Sequence, residues 1–269
     1  MTIPITWVDA FSDTAFGGNP AAVCMLAEPL DEARMQSIAF ELGISETAYL
    51  TRTDHPRTFG LRWFSPATEI DLCGHATLAS AHALREAGLV DGAAPLTFHT
   101  RSGPLHAAFE GDRIALDFPA DSMTPGPVPE PLKEQWPGGV EASGHTSFFT
   151  FVALSSAEAV RTYVPDLAAI AATGAKALLL TAAADAGSGA DYVLRVFGPN
   201  VGIDEDPATG SAQCSAGPYW AGQLGRSPLV ARQLSRRGAM LYVRPEGERV
   251  HIAGHATTVL TGHVCEGFA

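Results

Sequence analysis

Basic residues are scarce in this 269-residue chain. Only 17 Lys and Arg are present beside 29 Asp and Glu, which gives a formal charge of −12, and no segment concentrates the basic residues. Nucleic-acid binding needs clustered Lys and Arg to release counterions, and an anionic membrane surface attracts the same residues. The sequence therefore predicts neither nucleic acid nor a membrane as a partner.

Cysteine and long apolar runs are also in short supply. The four cysteines are scattered without a CxxC pair, which is too sparse for a disulfide framework. No apolar run approaches the roughly 20 residues that a membrane-spanning helix requires, and the N-terminus lacks the basic and apolar regions of a secretory signal. We therefore expect reduced thiols and a cytoplasmic protein.

Several cofactor and metal signatures are missing. Neither GxGxxG nor GxxxxGK[ST] occurs, so dinucleotide and P-loop nucleotide sites have no support in the sequence. His251 and His255 share one strand face, but no CxxC or HExxH accompanies them, and we expect no metal site. The nucleophile elbow GxSxG of hydrolases is absent too.

An internal repeat is the strongest pattern that the sequence does contain. Residues 61–71 read LRWFSPATEID and residues 194–204 read LRVFGPNVGID, which share L-R-x-F-x-P-x-x-x-I-D at an offset of 133. Each motif follows a helical pattern and a strand-like run, and each precedes a helix of small residues and a predicted hairpin. The chain is therefore predicted to contain two copies of one α+β unit.

The domain boundary is predicted at a proline-rich stretch. Residues 121–139 contain five prolines, which fix φ and donate no backbone N–H, so the stretch suits an extended crossing segment. The first domain is predicted to span residues 1–120 and the second residues 121–255. Duplicated domains commonly pack face to face, and clefts between domains are preferred ligand sites, so we expect the site at the loops after the two motifs.

Two short turns of small residues follow the motifs. Cys73-Gly74-His75 in the first copy and Thr209-Gly210-Ser211 in the second each begin a helix, whose unpaired N–H groups and positive dipole end favour an anion. Two such turns facing each other can hold a carboxylate. The alternative is that the two glycines only let the backbone turn tightly.

Four residues are candidate proton carriers. Glu46 stands between a helix end and a strand in one copy only, and the alternative is a solvated glutamate at a strand edge. The imidazole of His75 has an ordinary pKa of about 6.5, which suits proton transfer. Cys73 aligns with Asp206 in the repeat and precedes a helix N-terminus, where a lowered pKa would favour the thiolate. The alternatives are a small buried apolar residue for Cys73 and a helix cap for Asp206.

The sequence resembles the PhzF family of phenazine biosynthesis-like isomerases, which are related to diaminopimelate epimerase. The resemblance implies an α+β fold of two similar domains about a pseudo-two-fold axis, each a mixed sheet curled around a central helix, with the closing strand and tail, residues 256–269, completing the first domain. It also implies that no cofactor is needed. The segments that carry it are VDAF (8–11), GGNPAAV (17–23), GISET (43–47), CGHAT (73–77), GIDEDPATGSA (202–212) and GERVHIAG (247–254).

The resemblance also implies roles for individual positions. Glu46 matches the family's proton-shuttling glutamate, while His75 and Asp206 match polar groups that position the substrate and assist proton movement. Substrate contacts are expected from Asn19, Cys73, Gly74, Gly210 and Ser211.

The predicted activity is a cofactor-independent isomerase that shifts a proton and a double bond in a small carboxylate-bearing substrate. Two alternatives stay open. The first is a racemase or epimerase of a small amino or hydroxy acid that uses Cys73 opposite Asp206, and the second is a protein that binds a small acid without turning it over. A homodimer is the prior expectation for a soluble oligomer.

Overall fold

The computed structural model of the protein describes residues 2–136 and 138–265. Two compact units are present: the first runs to Asp117 and resumes at Ala253, and the second spans Phe118–Ile252. Residue 1 and residues 266–269 of the predicted first domain, and Pro137 of the predicted crossing segment, lie outside the described residues. In the described ranges, no helix has the length and apolar character needed to cross a membrane.

The first unit is a mixed sheet with two helices. Its elements are β1 (Thr2–Ala10), β2 (Asn19–Leu26), α1 (Glu32–Leu42), β3 (Glu46–Arg52), β4 (Thr58–Phe64), β5 (Glu69–Ile70), α2 (Gly74–Glu86), β6 (Leu96–Thr100), β7 (Gly103–Glu110), β8 (Arg113–Pro119) and, numbered in chain order, β18 (Ala256–Cys265). The closing strand β18 pairs antiparallel with β1.

The second unit is also a mixed sheet with helices. Its elements are β9 (Thr124–Pro125), β10 (Val140–His145), β11 (Phe149–Leu154), α3 (Ala157–Thr162), α4 (Leu167–Ala172), β12 (Ala177–Ala183), β13 (Tyr192–Gly198), β14 (Ile203–Asp206), α5 (Gly210–Leu224), β15 (Leu229–Gln233), β16 (Ala239–Glu246) and β17 (Arg249–Gly254), with short 3-10 turns at Glu130–Leu132 and Pro199–Val201.

The two units repeat one order of strand pairings. In the first, β2 pairs parallel with β3, β3 antiparallel with β4, β4 parallel with β6, and β6 antiparallel with β7. In the second, the same succession joins β11, β12, β13, β15 and β16. The α+β fold predicted from the repeat is confirmed.

Each sheet packs around a helix of small residues. In α2, every residue from His75 to Leu84 is buried, and the helix contacts β1, β2 and β3. In α5, a Cβ atom at Gly217 would lie only 2.6 Å from Cγ1 of Val243, so any larger residue there would force Val243 or the helix to shift. The abundance of Ala, Ser and Gly in these two helices therefore has a steric cause, because larger side chains would hold the sheet away from the helix.

A proline inside α5 leaves one helix carbonyl to be satisfied from outside. Pro218 has no N–H, so it cannot donate to the carbonyl of Cys214 in the preceding turn. The backbone N–H of Asp121 donates to that carbonyl instead, at 3.0 Å. The start of the proline-rich segment therefore completes the hydrogen bonding of the second unit's central helix.

The arginine of the repeated motif has the same structural role in both units. Arg62 donates from Nε and Nη2 to the two carboxylate oxygens of Glu69, both at 2.7 Å. Arg195 forms the same bidentate pair with Glu205, at 2.7 and 3.0 Å. In both copies the guanidinium also lies over the ring of the motif phenylalanine, at 5.2 and 4.7 Å from the ring centroid. The motif therefore anchors the short strands β5 and β14, which lead to the predicted site residues.

Candidate active site

Glu46 is placed by a helix end and a strand start. Helix α1 stops at Gly43, whose φ of +62° is accessible to glycine and whose N–H donates to the carbonyl of Ala39 at 3.1 Å. Strand β3 begins three residues later at Glu46, in register with Ala21 of β2. The side chain is buried, with 8% of the residue exposed, so Glu46 is not the solvated strand-edge glutamate that was the alternative.

His75 lies directly beside this carboxylate. Its Nε2 is 2.9 Å from Oε2 of Glu46, and both side chains are buried. Helix α2 begins at Gly74, so His75 stands in the first helical turn, where it is held against the sheet. The structure therefore brings together two of the three predicted catalytic residues within the first unit.

Cys73 completes a buried cluster with Glu46 and His75. Its Sγ lies 3.6 Å from Nδ1 and 3.9 Å from Nε2 of His75. Burial raises the pKa of the Cys73 thiol, although the neighbouring His75 acts to lower it. The expectation that the helix N-terminus lowers this pKa is therefore wrong, because removal of water from the thiolate outweighs the favourable interactions.

The electrostatics of the cluster favour a charged imidazole. Burial alone would lower the pKa of His75, but the adjacent Cys73 sulfur and Glu46 carboxylate raise it, and the net pKa lies well above its usual range. A protonated imidazole in contact with a carboxylate can donate a proton to a substrate, and it can stabilise a negative charge that develops on the substrate. The geometry therefore suits general acid/base chemistry.

Asn19 begins β2 and is fully buried. Because β2 and β3 are parallel, with Ala21 opposite Glu46, Asn19 and Glu46 stand at the starts of neighbouring strands along one edge of the sheet. The preceding loop contains two residues with left-handed backbone, Phe11 and Phe16, at φ +63° and +71°. Non-glycine residues adopt this conformation rarely, and it occurs often near functional sites.

In the second unit, a hydrogen-bonded turn fixes Asp206 at the end of β14. The hydroxyl of Thr209 donates to Oδ2 of Asp206 at 2.6 Å. The buried amide of Gln233, on β15, donates to the Asp206 carbonyl at 2.7 Å and accepts from the Thr209 N–H at 2.8 Å. Asp206 is therefore not the helix cap that was its alternative; Thr209 is the N-cap residue. The sequence reasoning did not identify the bracing residues Thr209 and Gln233.

The remaining predicted contacts stand at the starts of the two central helices. Gly74 is half-buried and Gly210 is buried, and each is the first residue of its helix. Ser211, in the first turn of α5, is exposed. Within the residues described, Thr209 makes no side-chain capping bond to α5, so the first-turn N–H groups are not satisfied from that position.

Comparison with known proteins identifies the chain's relatives. A family model for phenazine biosynthesis-like proteins, PhzC-PhzF, matches residues 8–262. An uncharacterized isomerase of Pseudomonas aeruginosa is 44% identical over 98% of this chain and 99% of its own length. An uncharacterized isomerase of Halalkalibacterium halodurans is 41% identical over 97% of each chain.

Solved structures agree with this relationship. A PhzF-family phenazine biosynthesis protein from Enterococcus faecalis has a TM-score of 0.93 at 36% identity, with 99% of this chain and 100% of that chain covered. A hydroxyproline epimerase from Agrobacterium vitis, with bound trans-4-hydroxy-L-proline, has a TM-score of 0.62 at 13% identity, covering 98% and 92%. Methylitaconate-Δ-isomerase has a TM-score of 0.54 at 11% identity, covering 98% and 95%. The last two share the fold alone.

The names of the relatives support an isomerase-like activity at the level of the family. The resemblance inferred from the sequence motifs is confirmed over nearly the whole chain. The protein belongs to the PhzC-PhzF family of phenazine biosynthesis-like proteins.

Proposed function

We propose that the protein is an isomerase that moves a proton, and with it a double bond, within a small carboxylate-bearing substrate. No cofactor takes part in the proposed reaction. The observation that carries this function is the buried contact of 2.9 Å between Glu46 and His75. A carboxylate and an imidazole in such contact, shielded from bulk water, provide a base and an acid at one point.

Glu46 is proposed to carry the proton. It removes a proton from an activated carbon and returns it to another carbon of the same conjugated system, which shifts the double bond. One group can serve both carbons only if the substrate and the carboxylate keep one relative pose. The strand position of Glu46 supports this, because β3 is hydrogen-bonded on both sides, to β2 and to β4.

His75 is proposed to stabilise the intermediate. Proton removal beside a carboxylate leaves an enolate-like charge, and a protonated imidazole offers a compensating charge in a water-poor environment. The raised pKa of His75 supports this role, because the acidic groups beside the ring favour its charged form. Its first-turn position in α2 adds the positive end of the helix dipole to the same region.

The second unit is proposed to supply binding groups. In the second unit, the first-turn N–H groups at Gly210 and Ser211 are proposed to bind a carboxylate, and in the first unit that of Gly74 is proposed to do the same. Asp206 would accept a hydrogen bond from a hydroxyl or amino substituent of the substrate, since a carboxylate repels another carboxylate. The bracing of Asp206 by Thr209 and Gln233 supports a positioning role. Asn19 and Cys73 are proposed to line the site of Glu46 and His75 in the first unit.

A deuterium-uptake experiment tests this function. The wild-type protein is incubated in deuterated water with a panel of small unsaturated, hydroxy and amino acids that includes methylitaconate and trans-4-hydroxy-L-proline, and products are followed by proton NMR. The isomerase predicts label at a new carbon together with a moved double bond. Asp206→Asn is expected to raise KM, whereas the exposed control Asp204→Asn leaves KM unchanged. If no acid exchanges, the non-catalytic alternative gains support.

A racemase or epimerase is the second candidate, and the placement of Cys73 favours it. The sulfur lies 3.6 Å from a ring nitrogen of His75, and a charged imidazole at that distance would stabilise the thiolate. A two-base racemase would place deuterium on the carbon whose configuration inverts, with no double-bond shift. Ligand-protected loss of activity on thiol alkylation would support it.

A homodimer and a cytoplasmic location also remain proposals, which sedimentation and cell fractionation would test.

A further inference from the structure

We propose that Glu46, Cys73 and His75 form a binding site for Zn²⁺, and that the bound ion blocks the acid/base chemistry of the same residues. The three side chains offer a carboxylate oxygen, a sulfur and an imidazole nitrogen, all within 4.8 Å of one another. All three are buried, with 7–8% of each residue exposed. Across residues 2–136 and 138–265, no other group of three His, Cys, Asp or Glu meets this condition.

The donor distances are close to those of a zinc site. The Nε2 atom of His75 lies 2.9 Å from Oε2 of Glu46 and 3.9 Å from Sγ of Cys73. Tetrahedral zinc, with bonds of about 2.0–2.2 Å to nitrogen and oxygen and about 2.3 Å to sulfur, separates neighbouring donors by roughly 3.3–3.7 Å. These two distances fall on either side of this range by less than about 0.5 Å, and the remaining pair, a carboxylate oxygen of Glu46 and the sulfur of Cys73, lies within 4.8 Å. Seating the ion requires the side chains of Glu46 and Cys73 to rotate towards a common point.

The charges and donor types fit zinc better than calcium or magnesium. A thiolate and a carboxylate together neutralise a divalent ion, and the imidazole binds in its neutral form. Sulfur and imidazole donors select zinc, whereas calcium and magnesium prefer sites made entirely of oxygen. The buried Oε2 of Glu46 also accepts no well-aligned hydrogen bond from the described residues, so a cation would satisfy it. Three protein ligands leave a fourth position open to water.

The blocking effect rests on the proposed function, whereas the binding itself does not. If Glu46 shuttles the proton, an ion on its carboxylate removes the base, and coordination of His75 removes the acid. Zinc would then act as a reversible inhibitor of the enzyme, released by a chelator.

A metal titration tests the site without any substrate. The full chain, with the exposed thiol of Cys265 removed by Cys265→Ser, is titrated with Zn²⁺ against a chromogenic zinc chelator. We expect one ion per chain. Cys73→Ala and His75→Gln should each weaken binding by more than about 100-fold, while Cys24→Ala, which removes a buried cysteine outside the cluster, should leave it unchanged.

Cobalt substitution provides a readout that does not depend on affinity. Co²⁺ in the site should give a tetrahedral visible spectrum and a sulfur-to-cobalt charge-transfer band, and the isosteric Cys73→Ser, checked for folding by circular dichroism, should lose that band. Absence of a stoichiometric ion, equal affinity in Cys73→Ala, or a band that persists in Cys73→Ser would overturn the site. Zinc binding without loss of deuterium exchange would leave the site standing and contradict the role of Glu46 instead.

Discussion

Replacement of Arg195 by alanine should destabilise the second unit strongly. The guanidinium forms a bidentate pair with Glu205, at 2.7 and 3.0 Å, and also donates to the carbonyl of Tyr163 at 2.7 Å. The side chains of Arg195 and Glu205 are 12% and 24% exposed. Because Glu205 directly precedes Asp206, this pair also anchors the strand that ends at the candidate site.

The size of the effect follows from burial and geometry. Hydrogen bonds to charged groups contribute about 1.5–3 kcal/mol each, and removing one partner of a buried ion pair costs about 3–5 kcal/mol. Partial exposure of Glu205 lets water recover some of this, so we expect Arg195→Ala to lower the free energy of unfolding by about 2–4 kcal/mol. Arg195→Lys keeps the charge but cannot form the planar fork, so about 1–2 kcal/mol should be lost.

Urea-induced unfolding, followed by tryptophan fluorescence, measures these changes. The matched control is Arg62→Ala in the other copy, where Arg101 also pairs with Glu69, so the carboxylate keeps a cationic partner and the loss should be smaller, about 1–2 kcal/mol. Arg161→Ala, which removes an exposed pair with Glu158, should cost less than about 1 kcal/mol. If the two units unfold in separate steps, the step of the second unit should carry the change. A loss for Arg195→Ala equal to that for Arg161→Ala would refute the reasoning.

Three further predictions concern burial. Burial lowers the pKa of His82, so the contribution of its neutral ring to folding stability is complete above about pH 6.5 and is lost as the pH falls below that value. The wild type should therefore lose more stability than His82→Gln between about pH 7.5 and 5.5, and equal losses would contradict this. Tyr192→Phe leaves the buried Gln213 oxygen without its 2.6 Å donor and should cost about 1–3 kcal/mol in urea unfolding; no measurable loss would oppose it. Gly217→Ala places a Cβ 2.6 Å from Val243 and should lower the melting temperature through about 1–3 kcal/mol of strain, and an unchanged melting temperature would show that the sheet yields there.

The repeated motif allowed the fold class to be predicted from the sequence. Its arginine and phenylalanine are two residues apart on one strand, so both side chains fall on the same face of the sheet, and the two copies pair alike. The partners of the arginines could not be predicted in the same way. Glu69 and Glu205 do not align in the repeat, because the turns that follow the motif phenylalanine differ and bring a carboxylate within reach from different positions.

The candidate site was predicted in part. The positions of Glu46 and His75 within the first unit agree with a shared role, because a strand start and a helix start meet there. The burial that governs Cys73 could not be predicted from its place before a helix, since it depends on the packing of the whole sheet. Gln233 gave no sequence signal at all. It reaches the Asp206 turn only because β15 pairs with β13 in the folded unit.

The most direct measurement of the central claim is the rate of proton exchange in a Glu46→Gln variant. Single-turnover deuterium uptake should be compared for wild type, Glu46→Gln and the exposed control Glu41→Gln, with any acid of the panel that the wild type labels. Positioned general acid/base groups contribute about 10²–10⁴-fold to rate, so Glu46→Gln should lose at least about 100-fold while Glu41→Gln keeps the wild-type rate. Exchange by Glu46→Gln at the wild-type rate would contradict the assignment of Glu46 as the proton carrier.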